Sequence, residues 1–133
     1  MCRECADLNR VSACRHPPYD APVDIADASA RAKHVRGLYE QMEERIHGSA
    51  WTPTELMVGF LQDVGDLGRL VMASEGRWAH ADDVPAALGH ELAECLWWVL
   101  VLADRLGVDI GEAFSSTMDG LDARLTARLA QPT

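Results

Sequence analysis

Four carboxylates come in two pairs. Asp63 and Asp66 lie in Leu-Gln-Asp-Val-Gly-Asp-Leu, residues 61–67, and Glu91 and Glu94 in His-Glu-Leu-Ala-Glu-Cys, residues 90–95. Each pair has i, i+3 spacing, which on a helix puts both side chains on one face. If two such helices pack together, four carboxylates converge, and carboxylate oxygens are the ligands that a hard cation such as Mg²⁺ prefers. An i, i+3 acid pair is ordinarily a solvated helix face. The surroundings here are different. Phe60, Leu61, Val64 and Leu67 flank the first pair, and the second runs into Cys-Leu-Trp-Trp-Val-Leu-Val-Leu-Ala, residues 95–103. A helix without a polar face is buried on most sides. Like charges gathered near a core repel one another and lose hydration, and a bound cation offsets both costs.

The elements that must position these acids follow from periodicity. A first helix is expected over about 25–47, with Val35, Leu38, Tyr39, Met42 and Ile46 on one stripe and Gly48 as its stop. Thr52-Pro53-Thr54-Glu55 combines a capping box with Pro at the first helical position, so a second helix runs from there to about Ser74, before Gly76. A third opens at Asp83-Val84-Pro85 and ends at Leu106, before Gly107. A fourth begins at Asp109-Ile110-Gly111-Glu112, with another capping box, and uses Ile110, Ala113, Phe114, Met118, Leu121 and Leu125. No stretch alternates long enough to be a strand. Short connections between long helices favour antiparallel neighbours. The expected fold is therefore all-α, an antiparallel four-helix bundle over 25–130, preceded by a Cys-rich arm over 1–24.

Composition narrows the function. The 133 residues fit one domain, and 48% hydrophobic content argues against global disorder. A net charge of −9 disfavours nucleic-acid polymers and anionic membranes as partners. No run reaches the roughly 20 apolar residues of a membrane span, and the first residues lack the plan of a signal peptide. The expectation is a cytoplasmic protein with reduced thiols.

These residues resemble a known family. Leu61 to Leu67, then Glu91-Leu-Ala-Glu-Cys95, then Leu106-Gly-Val-Asp-Ile-Gly-Glu-Ala-Phe114, look like the MazG-like all-α nucleoside triphosphate pyrophosphohydrolases, the group that includes dCTP pyrophosphatases and dimeric dUTPases. The resemblance covers roughly residues 30–128. It implies a Mg²⁺ site, with Mn²⁺ as substitute, formed by Asp63, Asp66, Glu91 and Glu94. It also implies cleavage of a nucleoside triphosphate to monophosphate and pyrophosphate, with Glu91 or Asp63 helping to deprotonate the attacking water. A homodimer or homotetramer is implied as well.

The chain departs from the family pattern. Asp replaces Glu at 63 and 66, Glu replaces Asp at 94, and Gln62 stands where many members have a further Glu. Thr117, Leu121 and Asp122 occupy positions where the family places phosphate-binding groups; Arg124, Arg69 and Arg77 are the alternative cations. These departures keep two rival readings open. One is a degenerate member that binds nucleotide or metal without turnover. The other is a partner-binding bundle.

Other residues carry chemistry of their own. Cys2, Cys5, Cys14 and His16 have the donor set of a Cys3His zinc site, against the alternative of a flexible arm with free thiols. Trp97 and Trp98 are expected in the core or an oligomer interface, Trp51 and Trp78 as caps over the bundle, and Cys95 in the core. His80 and His90 flank the site region as surface residues, with His90 also a candidate to hydrogen-bond a metal-binding acid from behind. Glu43 and Glu44 are expected on a solvated face. Gly65, mid-helix, costs up to about 1 kcal/mol relative to Ala, which points to close approach of a neighbouring helix or ligand.

Overall fold

The computed structural model describes residues 23–79 and 83–131. Among them the chain is entirely helical: α1 (Ile25–His47), α2 (Pro53–Ser74), α3 (Val84–Leu106) and α4 (Ile110–Leu129). Each start is capped by a side chain. Asp24 accepts from the Asp27 N–H at 2.8 Å, and Asp109 from Glu112 N–H at 2.9 Å. Thr52 and Glu55 form the reciprocal box, and Asp83 accepts from Ala86 N–H. These oxygens satisfy amides that have no partner inside a helix. α1 and α3 end at Gly48 and Gly107, whose φ of 81° and 68° an L-residue with a side chain adopts at a cost. The Cys-rich arm over 1–24, including Cys2, Cys5, Cys14 and His16, lies almost wholly outside the described residues, as does His80.

α3 is the central element, and both α1 and α2 pack on it. Lys33 pairs with Asp104, Tyr39 lies against Trp97, Trp97 Nε1–H donates to Ala32 O, and Arg105 reaches Glu40, so α1 crosses over α3. The core is small: Leu56 and Val101 are fully enclosed, with Ala32, Trp98 and Leu100 around them. α3 is also long and apolar enough to cross a membrane by length and composition, a property that a search for unbroken apolar runs misses.

The apolar stripes of α1 and α4 are largely uncovered among the described residues. The α1 stripe does not fill the core: Val35, Leu38, Tyr39, Met42 and Ile46 are all substantially exposed, and the buried α1 residues are Ala32, Arg36 and Glu43. α4 buries no residue at all and meets α1 mainly near its start, leaving Phe114 59% exposed. An amphipathic stripe shows which face avoids water, not which surface covers it.

The glycine that permits close packing is Gly59, not Gly65. A Cβ at Gly59 would lie 2.5 Å from the Trp98 ring, whereas one at Gly65 would meet nothing within 4 Å. Gly59→Ala should therefore destabilise the protein by about 1–3 kcal/mol through overpacking, and Gly65→Ala should stabilise it by up to about 1 kcal/mol through helix propensity. Urea denaturation of both variants checks the pair of signs. Equal shifts would mean that Trp98 does not sit against α2 in this way.

Candidate metal centre and adjoining cavity

α3 brings Glu91 and Glu94 to one place, and α2 sets Asp63 on the lining of the cavity that Glu94 also lines. The Trp98 indole, wedged over Gly59, donates its Nε1–H to Asp63 Oδ2 at 2.5 Å. One turn back on α3, Cys95 is half-buried beside Asp63, Glu91 and Glu94. Burial pushes its thiol pKa up, and the charges of Asp63, Glu91 and Glu94 push it further. Cys95 is thus half-buried rather than part of the buried core.

The oxygens of these acids are used unequally. Glu91 Oε2 is enclosed and has no hydrogen-bond partner among the described residues. Glu94 Oε2 lies 3.4 Å from His90 Nε2, so His90 is joined to the cluster rather than merely flanking it. Donor atoms of His90, Glu91 and Glu94 all fall within 4.8 Å of one another. Asp66 stands apart. It pairs with Arg69 and accepts from Gln62 Nε2 at 3.1 Å. A buried carboxylate oxygen without a donor is costly, and a cation there would satisfy it. The donor set thus fits a divalent ion.

A cavity of about 510 Å³ adjoins the cluster. Tyr39, Trp51, Trp97 and Trp98 supply aromatic wall, and Asp63, His90 and Glu94 lie along its lining. Trp51 does act as a half-buried cap, whereas Trp78 is exposed. Arg36 and Glu43 also line it. Glu43 is 8% exposed and Arg36 4%, so Glu43 does not belong to a solvated face, although Glu44 does. Arg36 Nη1–H donates to Glu43 Oε1 at 2.9 Å, Nη2 pairs with the other oxygen, and Trp51 N–H adds a bond of 2.8 Å. Burial would raise the Glu43 carboxyl pKa, but Arg36 and the Trp51 amide together hold it below its ordinary value of 4.5. The signal for this pair was present in the sequence, as opposite charges two turns apart on one helix face.

None of the expected phosphate-binding cations lines the cavity. Arg69 is held by Asp66, Arg77 sits 3.9 Å from Glu75, and Arg124 Nε–H donates back to Gly120 O at 3.2 Å. Thr117 and Asp122 are exposed on α4, and Leu121 is half-buried. Comparison with protein-family models, curated proteins and solved structures finds no match.

Arg36→Met strands a buried carboxylate and should cost about 3–5 kcal/mol, with Arg36→Met/Glu43→Gln recovering most of it. Because the Glu43 pKa is lowered on folding, its contribution is full above pH 4.5 and is lost as the pH falls through the lowered value. Urea midpoints between pH 3 and 7 test both statements. A loss below about 0.5 kcal/mol in Arg36→Met, the scale of a surface substitution, would contradict them.

Proposed function

We propose that this chain is a divalent-cation-dependent nucleotide pyrophosphohydrolase of the MazG-like all-α type, converting a nucleoside triphosphate to monophosphate and pyrophosphate. The observation that carries this reading is the Glu91–Glu94 cluster, with an enclosed Glu91 oxygen that lacks a partner among the described residues, next to an aromatic-lined cavity of about 510 Å³ that Glu94 and Asp63 line. That size is ample for a small organic ligand. Glu91 and Glu94 from α3 and Asp63 from α2 would hold Mg²⁺ or Mn²⁺. A cation so held neutralises phosphate charge and lowers the pKa of a bound water. Tyr39 and Trp51 offer flat faces to a nucleobase. Glu91 and Asp63 are the two candidate bases for the water's proton. Asp63 already has one oxygen committed to Trp98. Asp66 joins the site only by exchanging Arg69 for the cation.

A second reading, binding without turnover, draws on the cations. Arg69 and Arg36 are committed to carboxylates and Arg124 to a backbone carbonyl. A site short of phosphate-binding cations mainly holds its substrate weakly, whereas a site short of a metal ligand mainly slows the chemical step. With Mn²⁺ and a panel of ordinary and modified nucleotides, the protein should release pyrophosphate with weak substrate affinity, and Glu91→Gln should lower turnover by on the order of a hundredfold. Orthophosphate as sole product would contradict the reaction class, and no product from any nucleotide would leave the binding reading.

The working unit in this proposal is a cytoplasmic homo-oligomer. Leu38, Met42 and Ile46 on α1 and Phe114, Leu125 and Leu129 on α4 are exposed, more apolar surface than an isolated helical unit keeps in water. A second copy covering them would give these stripes the partner that this chain does not supply. Light scattering should give at least twice the 14.6 kDa of one chain, and Phe114→Asp with Leu125→Asp should shift it toward one. A wild-type monomer at high concentration would overturn the oligomer.

A further inference from the structure

We propose that His90 is itself a ligand of the cation held by Glu91 and Glu94, which makes this a mixed nitrogen–oxygen site that takes Mn²⁺ or Co²⁺ in preference to Mg²⁺. The inference rests on the reading that this cluster binds a divalent cation, but not on any reaction carried out there.

The spacing comes first. His90 and Glu94 are i, i+4 and Glu91 and Glu94 are i, i+3, so three donors leave one stretch of α3 toward a common point. The pairing of His90 with Glu94 is a poor hydrogen bond. Its N···O distance of 3.4 Å exceeds the usual range of about 2.7–3.2 Å. It is close to the roughly 3 Å that separates adjacent ligands on one octahedral ion with bonds near 2.1 Å. As a surface ion pair it would contribute little, since the His90 side chain is 69% exposed. On the same turn, Glu91 Oε2 is enclosed without a partner among the described residues, and one Glu91 oxygen lies within 4.8 Å of the donors of His90 and Glu94. A small cation at that point takes up a Glu91 oxygen, a Glu94 oxygen and the His90 lone pair together. The exposed imidazole leaves the ion's outer positions open to water and ligand.

The donor set then decides the metal. Imidazole is a borderline ligand that suits first-row transition ions, whereas Mg²⁺ favours oxygen alone and gives up its water reluctantly. Asp66, which would make the site harder, is turned to Arg69.

The test uses the whole chain without nucleotide. Mn²⁺ and Mg²⁺ affinities are measured by calorimetry for the wild type and His90→Ala, an exposed position whose truncation leaves the core untouched. Pulsed electron paramagnetic resonance of bound Mn²⁺ reports nitrogen coordination directly. The expected result is tighter binding of Mn²⁺ than Mg²⁺ by about tenfold or more. Nitrogen modulation should be present in the wild type and absent in His90→Ala. The Mn²⁺ affinity should fall about tenfold in the variant, while that for Mg²⁺ changes less than about twofold. Bound Mn²⁺ without nitrogen modulation, or equal losses for both ions, would overturn the proposal and leave the pyrophosphohydrolase reading standing. An imidazole-bound Mn²⁺ in a protein that cleaves no nucleotide would support this proposal and sink the other. No Mn²⁺ binding at all would overturn it outright.

Discussion

The Trp98 indole is the contact on which the rest depends. It is a rigid ring set against Gly59 of α2, where a side chain would collide with it, and its single polar atom is satisfied by Asp63. Packing and hydrogen bonding thus act on the same ring from two directions. The first fixes how closely α2 approaches α3. The second fixes where Asp63 points. A buried tryptophan needs a partner for its N–H, and here the partner is an acid of the candidate site. Interhelical geometry and site geometry are therefore one constraint, and a substitution that moves the ring moves the carboxylate.

α1 contributes through charge rather than bulk. Its apolar stripe lines the cavity, while its buried face carries Arg36 and Glu43. Such a pair is an uncertain source of stability compared with apolar residues of similar size, yet breaking it is costly. The arrangement makes sense for a wall that must keep its shape beside an open space. Glu43 reaches Trp51 N–H just before α2, and Arg105 of α3 reaches both Glu40 and the Trp51 carbonyl. The turn into α2, and with it one aromatic face of the cavity, is held by these charges.

What the sequence made legible was local. Caps, helix starts and stops, and the apolar run of α3 depend on neighbours within a few residues, and the four helices begin and end where Asp24, Thr52, Gly48 and Gly107 indicate. The pairing of α2 with α3 also followed, because two acid pairs in apolar settings leave few other solutions. What could not be read depends on surfaces rather than spacing. The stripe of Val35, Tyr39, Met42 and Ile46 has the period of a core face, and the period is correct, but nothing in the pattern says whether this chain or another covers it. Gly65 and Gly59 are equally mid-helix, and only the position of the Trp98 ring distinguishes them. Glu43 looked solvated because its partner sits seven residues back, beyond the i, i+4 neighbours usually inspected. The MazG-like type and the zinc reading of the arm rest on motifs alone.

The two acidic pairs are not equivalent, and side-chain length accounts for much of the difference. The oxygens of the α2 aspartates are taken by groups close by: Trp98 across the interface on α3 for Asp63, and Arg69 and Gln62 on α2 itself for Asp66. The glutamates of α3 are one methylene longer and reach clear of their backbone. Among the described residues, Glu91 carries an oxygen with no partner, and Glu94 has only the long contact with His90. Any cation entering the cluster meets committed oxygens on one side and uncommitted ones on the other. Displacing a bound donor costs a hydrogen bond, or a charge-assisted one in the case of Arg69. Taking up an orphaned oxygen removes a penalty instead. The binding weight of such a site therefore moves from α2 to α3, and an exposed histidine on α3, otherwise an ordinary surface residue, comes within reach of it.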